Sequence, residues 1–336
     1  MRVGIVTHGT DGDVLPFVFI ARRLKEKGHE VQLCCPCSSV ALAKQYGLEA
    51  RGLTFDARKV VADQKMQRAM QTGDGKECVG AFLDAIQDQM QRANSAEEAV
   101  AFLSPWRPDL LLSHPSLVAF TTIAEMLRVP VMNVVFMPFL PSLISYPIFN
   151  SAEQLAHDGL LGRPLEAHKR LWERAVGVRD LEEINVLRGR WGLQPYESTL
   201  EFQAVFQAVP LVNCWSASLA APAADLATLF PLARHAGQVL VDSPEDYSPP
   251  PALRAFLDAP GAERPIYVGF GSLSAGDPRK VTEKVLRALI LAGGKRCVMA
   301  GGWSGIGPQH LDPELTEGFP ELARFAEASV FTMQFA

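Results

Sequence analysis

A short glycine-rich run near the N-terminus holds the residues best suited to chemistry. It reads Gly9-Thr10-Asp11-Gly12-Asp13, directly after an apolar stretch and at the start of a helical pattern. Glycine lets a backbone approach a ligand closely, and the free N–H groups of a helix N-terminus attract an anion. Asp13 has two interpretations that the residues leave open, a general base at the end of a strand or an N-cap of the following helix. Asp11 fits a cap or turn better, because its charge would repel a phosphate.

Two later runs repeat the arrangement of strand, glycine-rich loop and helix. Gly271 and Ser272 follow an apolar stretch, where backbone N–H groups and a hydroxyl would reach a pyrophosphate, although an ordinary glycine-rich turn has the same composition. Trp303 lies in the run G-G-W-S-G and either walls a nucleotide site or packs in an interface. His8 ends the first strand and is either a polar contact to a ligand or a half-buried imidazole. The seven histidines include no H-x-x-x-H pair, so no metal site is predicted.

These loops need parallel strands to display them, since ligands of such sheets bind outside the carboxyl ends of the strands. The apolar periodicity predicts strands at residues 2–7, 30–35, 110–113, 129–137, 266–270, 296–300 and 329–334. Helical patterns lie between them, and residues 66–102 and 155–206 add covering helices. The fold class is therefore α/β. A proline-rich composition shift indicates an N-terminal domain at 1–215, a linker at 216–250 and a partial second domain at 251–336.

The first loop is not a dinucleotide fingerprint. Its glycines are spaced G-x-x-G rather than G-x-G-x-x-G, and the second predicted strand ends in Cys34-Cys35-Pro36, without an acidic residue for a ribose. A nicotinamide-dependent oxidoreductase is thus a disfavoured alternative.

Composition excludes further classes of protein. A length of 336 residues favours two domains, and a net charge of −5 argues against nucleic acid as a partner. The six cysteines lack paired metal-ligand spacing, and the start of the chain lacks a secretory signal, so a reducing, cytoplasmic location is expected. Residues 129–152 are uncharged, but repeated prolines argue against a membrane span.

Four motifs in order give the chain a family resemblance. They are G-T-D-G-D-V-L-P-F, P-F-L-P-S-L-I-S-Y-P, I-N-V-L-R-G-R-W-G-L-Q-P and the pair P-I-Y-V-G-F-G-S-L with G-G-W-S-G-I-G. Together they resemble the sterol and antibiotic-aglycone glycosyltransferases, which are similar to UDP-glycosyltransferases. The resemblance spans nearly the whole chain. It implies the GT-B fold, in which one Rossmann-like domain takes the acceptor and a second takes a nucleotide-diphosphate sugar.

The resemblance implies roles for individual residues. Asp13 matches the family base that deprotonates the acceptor hydroxyl while a hexose transfers, with inversion, from a UDP- or dTDP-sugar. The donor-binding set is Thr10, Gly12, Gly271, Ser272 and Trp303, and the acceptor-binding set is His8, Pro138, Phe139 and Ser142. The acceptor would be lipophilic, such as a sterol, a lipid or a natural-product aglycone. The nucleotide sugar is a co-substrate, and no resident cofactor or metal is implied.

Two departures from the family pattern define the alternative. The family has arginine where this chain has Asp11, which exchanges a donor for an anion. The family segment H-H-G-G-A-G-T-T does not occur in the 336 residues. We therefore expect a C-terminally truncated enzyme with impaired transfer and self-association through its second domain. The alternative is a non-catalytic acceptor-binding remnant, or a partner subunit that lacks its own donor site.

Overall fold

The architecture comes from a computed structural model of the chain. It describes residues 1–72, 77, 80–81, 84–85, 94–114, 117, 119–136, 156–163, 166–167, 178–221, 224, 226–240, 248–260, 263–272, 277–311 and 319–334. The chain divides into two compact units, one of Met1–Val60 with Val79–Val241 and one of Val61–Cys78 with Asp242–Ala336.

The first unit is built on a seven-stranded sheet in which every neighbouring pair is parallel. Its strands are β1 (Arg2–Val6), β2 (Glu30–Pro36), β3 (Glu49–Leu53), β4 (Leu110–Ser113), β5 (Val131–Val135), β6 (Leu211–Asn213) and β7 (Ala233–His235). Their order across the sheet is β3-β2-β1-β4-β5-β6-β7. Consecutive strands thus run one way from β1 to β3 and the other way from β4 to β7.

Helices cover both faces of this sheet. They are α1 (Asp11–Glu26), α2 (Val40–Gln45), α3 (Ala57–Val61), α5 (Ser95–Leu103), α6 (Phe120–Leu127), α7 (Val178–Arg190), α8 (Thr199–Gln207) and α9 (Leu226–Leu229), whereas α4 (Gln64–Thr72) belongs to the second unit. Helix α1 buries Val14, Phe17, Val18 and Ala21 on one stripe, in contact with the core that contains Val3 and Ile5 of β1. The opposite side of the sheet packs on α5 and α6 through a second apolar cluster.

The second unit has a three-stranded parallel sheet of order β10-β9-β8. Its strands are β8 (Ile266–Gly269), β9 (Cys297–Ala300) and β10 (Val330–Met333), and its helices are α10 (Pro251–Leu257), α11 (Pro278–Leu291) and α12 (Pro320–Ser329). Leu286 of α11, Leu322 of α12 and Met299 of β9 form its buried core. This is a second Rossmann-like βαβ series, as the sequence predicts.

Three strands of the first sheet, β3, β6 and β7, were not predicted from the local apolar pattern. β7 lies within the stretch 216–250 that composition indicates as a linker, yet it pairs with β6 in the first sheet. The first unit accordingly extends to Val241. Both β6 and β7 are only three residues long, so pairing with neighbours, rather than apolar periodicity, defines them. No helix in the described ranges is long and apolar enough to cross a membrane.

Candidate functional site

The strand order of the first unit locates a ligand site. β1 and β4 are adjacent, with Val6 opposite Ser113, but their following helices pack on opposite faces of the sheet. A reversal of this kind opens a crevice at the carboxyl ends of the two strands. His8 and the 9–13 run follow β1, and His114 follows β4. The sheet therefore brings together loops that are about a hundred residues apart in sequence.

Asp13 lies in the first turn of α1 and is held by Thr10. The N-cap of this helix is Thr10, not Asp13, and Asp13 occupies the third helical position of a capping box. Its Oδ2 accepts a hydrogen bond from the Thr10 backbone N–H at 2.8 Å and another from the Thr10 hydroxyl at 3.1 Å. Burial raises the pKa of the Asp13 carboxyl, and both hydrogen bonds from Thr10 oppose that rise. The carboxylate is thus half-buried and held in one orientation by Thr10.

Gly9 makes room for this carboxylate. Its φ of +109° is a left-handed conformation that favours glycine. A Cβ on Gly9 would lie 2.3 Å from Asp13 Oδ2. By contrast, a Cβ on Gly12 would meet only the Thr10 hydroxyl, at 3.6 Å. The loop therefore requires glycine sterically at position 9, whereas position 12 leaves open space beside the backbone.

Asp11 points towards a different loop. Its Oδ1 accepts a hydrogen bond of 2.7 Å from the hydroxyl of Ser39, which is buried in the 3₁₀ turn Cys37–Ser39 after β2. The two acidic side chains of the first turn are thus separately engaged, one with Thr10 and one with Ser39.

Two buried histidines line the ends of β1 and β4. His8 packs edge-on against Phe55, with ring centroids 5.1 Å apart, and His114 stacks on Phe136 at 6.1 Å. Burial lowers the pKa of His8 to about 4, and burial together with the nearby His8 lowers the pKa of His114 to about 3. Both imidazoles are therefore neutral near pH 7. Nδ1 of His8 is buried and has no hydrogen-bond partner among the described residues.

Three of these residues escaped the sequence analysis, namely Phe55, His114 and Phe136. Each follows the end of a strand, β3, β4 and β5 respectively. The rule that ligands bind at carboxyl ends of parallel strands would have indicated His114, directly after the correctly predicted β4. Phe55 could not be found this way, because β3 itself was not predicted.

In the second unit, the glycine-rich loops after β8 and β9 are joined by their backbones. The Trp303 N–H donates to the Gly271 carbonyl at 3.0 Å, and a Cβ on Gly302 would lie 2.6 Å from that same oxygen. Gly271 and Gly302 both have positive φ, of 59° and 51°. Ser272 and Trp303 are half-buried. Close packing of the two loops thus explains glycine at 302, and a positive φ alone explains glycine at 271, where a Cβ would meet no atom within 4 Å.

Some predicted site residues are not tested by these contacts. Pro138, Phe139 and Ser142 lie outside the described residues. Among the described residues, no three His, Cys, Asp or Glu side chains are grouped as a metal site.

Comparison with known proteins identifies the chain. Residues 3–144 match the glycosyltransferase family 28 N-terminal domain. The chain is 28% identical over 320 residues to sterol 3-beta-glucosyltransferase UGT80A2 of Arabidopsis thaliana. This alignment covers 91% of this chain and 46% of that protein. It is 25% identical over 306 residues to a sterol 3-beta-glucosyltransferase of Eremothecium gossypii, over 90% of this chain and 23% of that protein. The chain thus spans about half, or less, of the length of these relatives.

Solved structures agree on the fold. The glycotransferase of kitacinnamycin aligns with a TM-score of 0.54 and 17% identity, over 100% of this chain and 71% of that chain. Arabidopsis thaliana UGT89C1 complexed with UDP aligns with a TM-score of 0.53 and 13% identity, over 100% of this chain and 70% of that chain. The fold is GT-B. The match of residues 3–144 to the family 28 N-terminal domain and the similarity to sterol 3-beta-glucosyltransferases together support a UDP-glycosyltransferase-like family of sterol and aglycone glycosyltransferases.

Proposed function

We propose that the chain transfers a hexose, with inversion, from a UDP- or dTDP-sugar to a hydroxyl of a lipophilic acceptor such as a sterol, a lipid or a natural-product aglycone. The observation that carries the proposal is Asp13, a half-buried carboxylate fixed by Thr10 at the reversal of strand order. The sterol glucosyltransferases among the relatives support the acceptor class.

Asp13 would act as the general base. Its carboxylate takes the proton of the acceptor hydroxyl as the acceptor oxygen forms a bond to the anomeric carbon. The bond from that carbon to the diphosphate oxygen breaks on the opposite face, and its electron pair leaves with the nucleoside diphosphate. A raised pKa makes the Asp13 carboxylate a stronger base wherever it remains ionised.

The acceptor would meet an aromatic and weakly polar surface. His8 presents a neutral imidazole, and Phe136, which is half-buried, offers an apolar ring beside His114. Apolar walls with few polar groups suit a sterol-like molecule. We assign Pro138, Phe139 and Ser142 to the same acceptor side, on the family motif alone.

The donor would be held by glycine-rich loops. We assign Gly12, Gly271 and Ser272 to the diphosphate and Trp303 to the nucleotide, because each follows a strand or opens a helix. Thr10 was expected in the same set, but its hydroxyl has a single proton and donates it to Asp13. Only its backbone remains for this role.

One observation favours the alternative, an acceptor-binding protein without its own donor site. Asp11, which is an anion, stands where the family has arginine, and it bonds to Ser39. The alternative predicts that the purified chain binds a sterol but neither UDP nor dTDP.

The test is glycosyl transfer by the purified chain from UDP-glucose or dTDP-glucose to cholesterol. Wild type should form the glycoside at a measurable but impaired rate, and Asp13→Asn should lower kcat by a further factor of about 100 or more. The amide oxygen of Asn can accept the same two hydrogen bonds from Thr10, so the thermal midpoint of Asp13→Asn should barely change. Near-normal turnover in Asp13→Asn would remove Asp13 from the mechanism.

We place this reaction in a reducing cytoplasm. Cys34, Cys35, Cys214 and Cys297 are free and buried, which is typical of thiols that serve as packing residues. Burial raises the pKa of the Cys35 thiol to about 12 and that of Cys297 to about 11, so neither is a reactive thiolate near pH 7.

A further inference from the structure

The two carboxylate oxygens of Asp13 differ in their hydrogen bonds to the loop around them. Oδ2 accepts both hydrogen bonds from Thr10 and faces the backbone of Gly9. Oδ1 accepts no hydrogen bond from any described residue, and the side chain is not fully buried. One oxygen is therefore held, and the other remains available to a ligand.

The hydroxyl of Thr10 is committed by this arrangement. A hydroxyl has one proton to donate, and here it goes to Asp13 over 3.1 Å. Donors that face a carboxylate stabilise its charged form and so lower its pKa. Thr10 thus opposes the effect of burial on the same group.

Other charged groups near the helix start are engaged elsewhere or neutral. Asp11 bonds to Ser39 rather than to Asp13. His8 and His114, at the ends of the neighbouring strands, are kept neutral by burial. Thr10 is therefore the polar contact that orients Asp13 and counters the effect of burial on its pKa.

We infer that Thr10 is a positioning residue for the base: it fixes Oδ2 of Asp13 so that Oδ1 receives the acceptor's proton, instead of binding the diphosphate through its hydroxyl. This inference rests on the proposed function, in which Asp13 deprotonates the acceptor. If Thr10 were only a helix cap, the same hydrogen bonds would form, but removing the hydroxyl would not change the rate of transfer.

Thr10→Val separates these roles, since it keeps the shape and the backbone N–H and removes only the hydroxyl. Without that donor the pKa of Asp13 should rise further. Carbon-13 NMR of the full chain labelled at aspartate carboxyls should show the Asp13 signal, identified by its loss in Asp13→Asn, titrating at higher pH than in wild type. Thr10→Ser should restore the wild-type titration. Ser39→Ala is the matched control, because it removes a hydroxyl from Asp11 and should leave the Asp13 signal unmoved.

The same variants are compared in transfer from UDP-glucose to cholesterol across pH. For Thr10→Val, kcat should fall about three- to tenfold on the plateau because the Asp13 carboxylate is held less firmly, and the acid limb should move to higher pH, with KM for UDP-glucose unchanged. An unshifted NMR titration, or a raised KM for UDP-glucose with an unshifted limb, would overturn the inference. If Asp13→Asn retains turnover, the assignment of Asp13 as the base fails instead, whatever the NMR result, and if wild type forms no glycoside the proposed transfer fails. These failures are thus told apart.

Discussion

The Ser39 hydroxyl donates a 2.7 Å hydrogen bond to Oδ1 of Asp11 and so ties the turn after β2 to the start of α1. Ser39 is almost fully buried, at 1% exposure, and its partner is a carboxylate. Hydrogen bonds to charged groups stabilise folded proteins more than neutral ones do. The family arginine would bring a cation to this position, next to the positive end of the helix dipole.

We therefore expect Asp11→Arg to lower the free energy of unfolding by about 1–2 kcal/mol. Asp11→Asn keeps an acceptor for Ser39 and should cost less than half as much. Urea denaturation measures both. Calorimetry with UDP completes the test, because a gain in affinity for Asp11→Arg would show that position 11 faces the diphosphate rather than Ser39.

The two glycines of the first loop should respond differently to alanine. Gly9→Ala forces a Cβ against Asp13 Oδ2 at a positive φ, so it should destabilise the chain by about 2 kcal/mol or more and abolish transfer. Gly12→Ala meets no close atom and should leave the thermal midpoint unchanged or slightly higher. If a diphosphate approaches this turn, Gly12→Ala should still weaken UDP binding. An equal loss of stability in both variants would contradict the geometry.

Stability should fall in mild acid because of His8 and His114. An unfolded histidine binds a proton near pH 6.5, whereas folded His8 stays neutral to about pH 4. Between those values the unfolded chain binds more protons, so the free energy of unfolding decreases as pH falls. For His8 the loss from pH 7 to 4.5 should be on the order of 2 kcal/mol. His8→Gln should remove this His8 share and leave the share due to His114, whereas His157→Gln, which alters an exposed histidine, should keep the whole loss. Equal pH dependence in both variants would exclude His8 as a cause.

Arg188 in the motif I-N-V-L-R-G-R-W-G-L-Q-P links α7 to α6 through an ion pair. Arg188, 4% exposed, bonds to Glu125 at 2.7 Å and lies 4.1 Å from the ring centre of Tyr196. Arg188→Ala should cost about 2–4 kcal/mol of unfolding free energy. Arg190→Ala, which removes an exposed ion pair with Glu97, should cost less than about 0.5 kcal/mol. Similar losses would contradict a specific role for Arg188.

Self-association is expected through β8. In the described part of the second unit β8 pairs only with β9, and Ile266 and Tyr267 on it are 42% and 57% exposed. Edge strands with exposed apolar side chains pair readily with other chains, and a lysine prevents this. Tyr267→Lys should therefore shift the chain towards monomer in size-exclusion chromatography with light scattering. An unchanged profile would place the contact elsewhere, and Leu291→Lys, on an exposed helix end, is the control.

Local sequence determined much of the fold because its signals are local. The apolar run of β4 and the alternation of strand, glycine-rich loop and helix at α1 are complete within a few residues, and β4 was predicted with its observed bounds. The position of Asp13 at a strand-to-helix turn followed from the same pattern. The family motifs added the GT-B fold, which the structural neighbours confirm.

Tertiary structure decided which of these residues act together. β6 and β7 exist through pairing with distant strands, and β3, with burial alternating along Glu49–Leu53, lacks a continuous apolar run. His8 and His114 lie near each other because β1 and β4 are neighbouring strands. A short stretch of sequence does not contain the strand order. Likewise, the sequence does not show that Ser39 donates to Asp11 and Thr10 to Asp13. Hydrogen bonds are short and directional, so only the folded positions of the atoms decide that Thr10 bonds to Asp13, that Ser39 bonds to Asp11, and that Oδ1 of Asp13 stays without a hydrogen bond from a described residue.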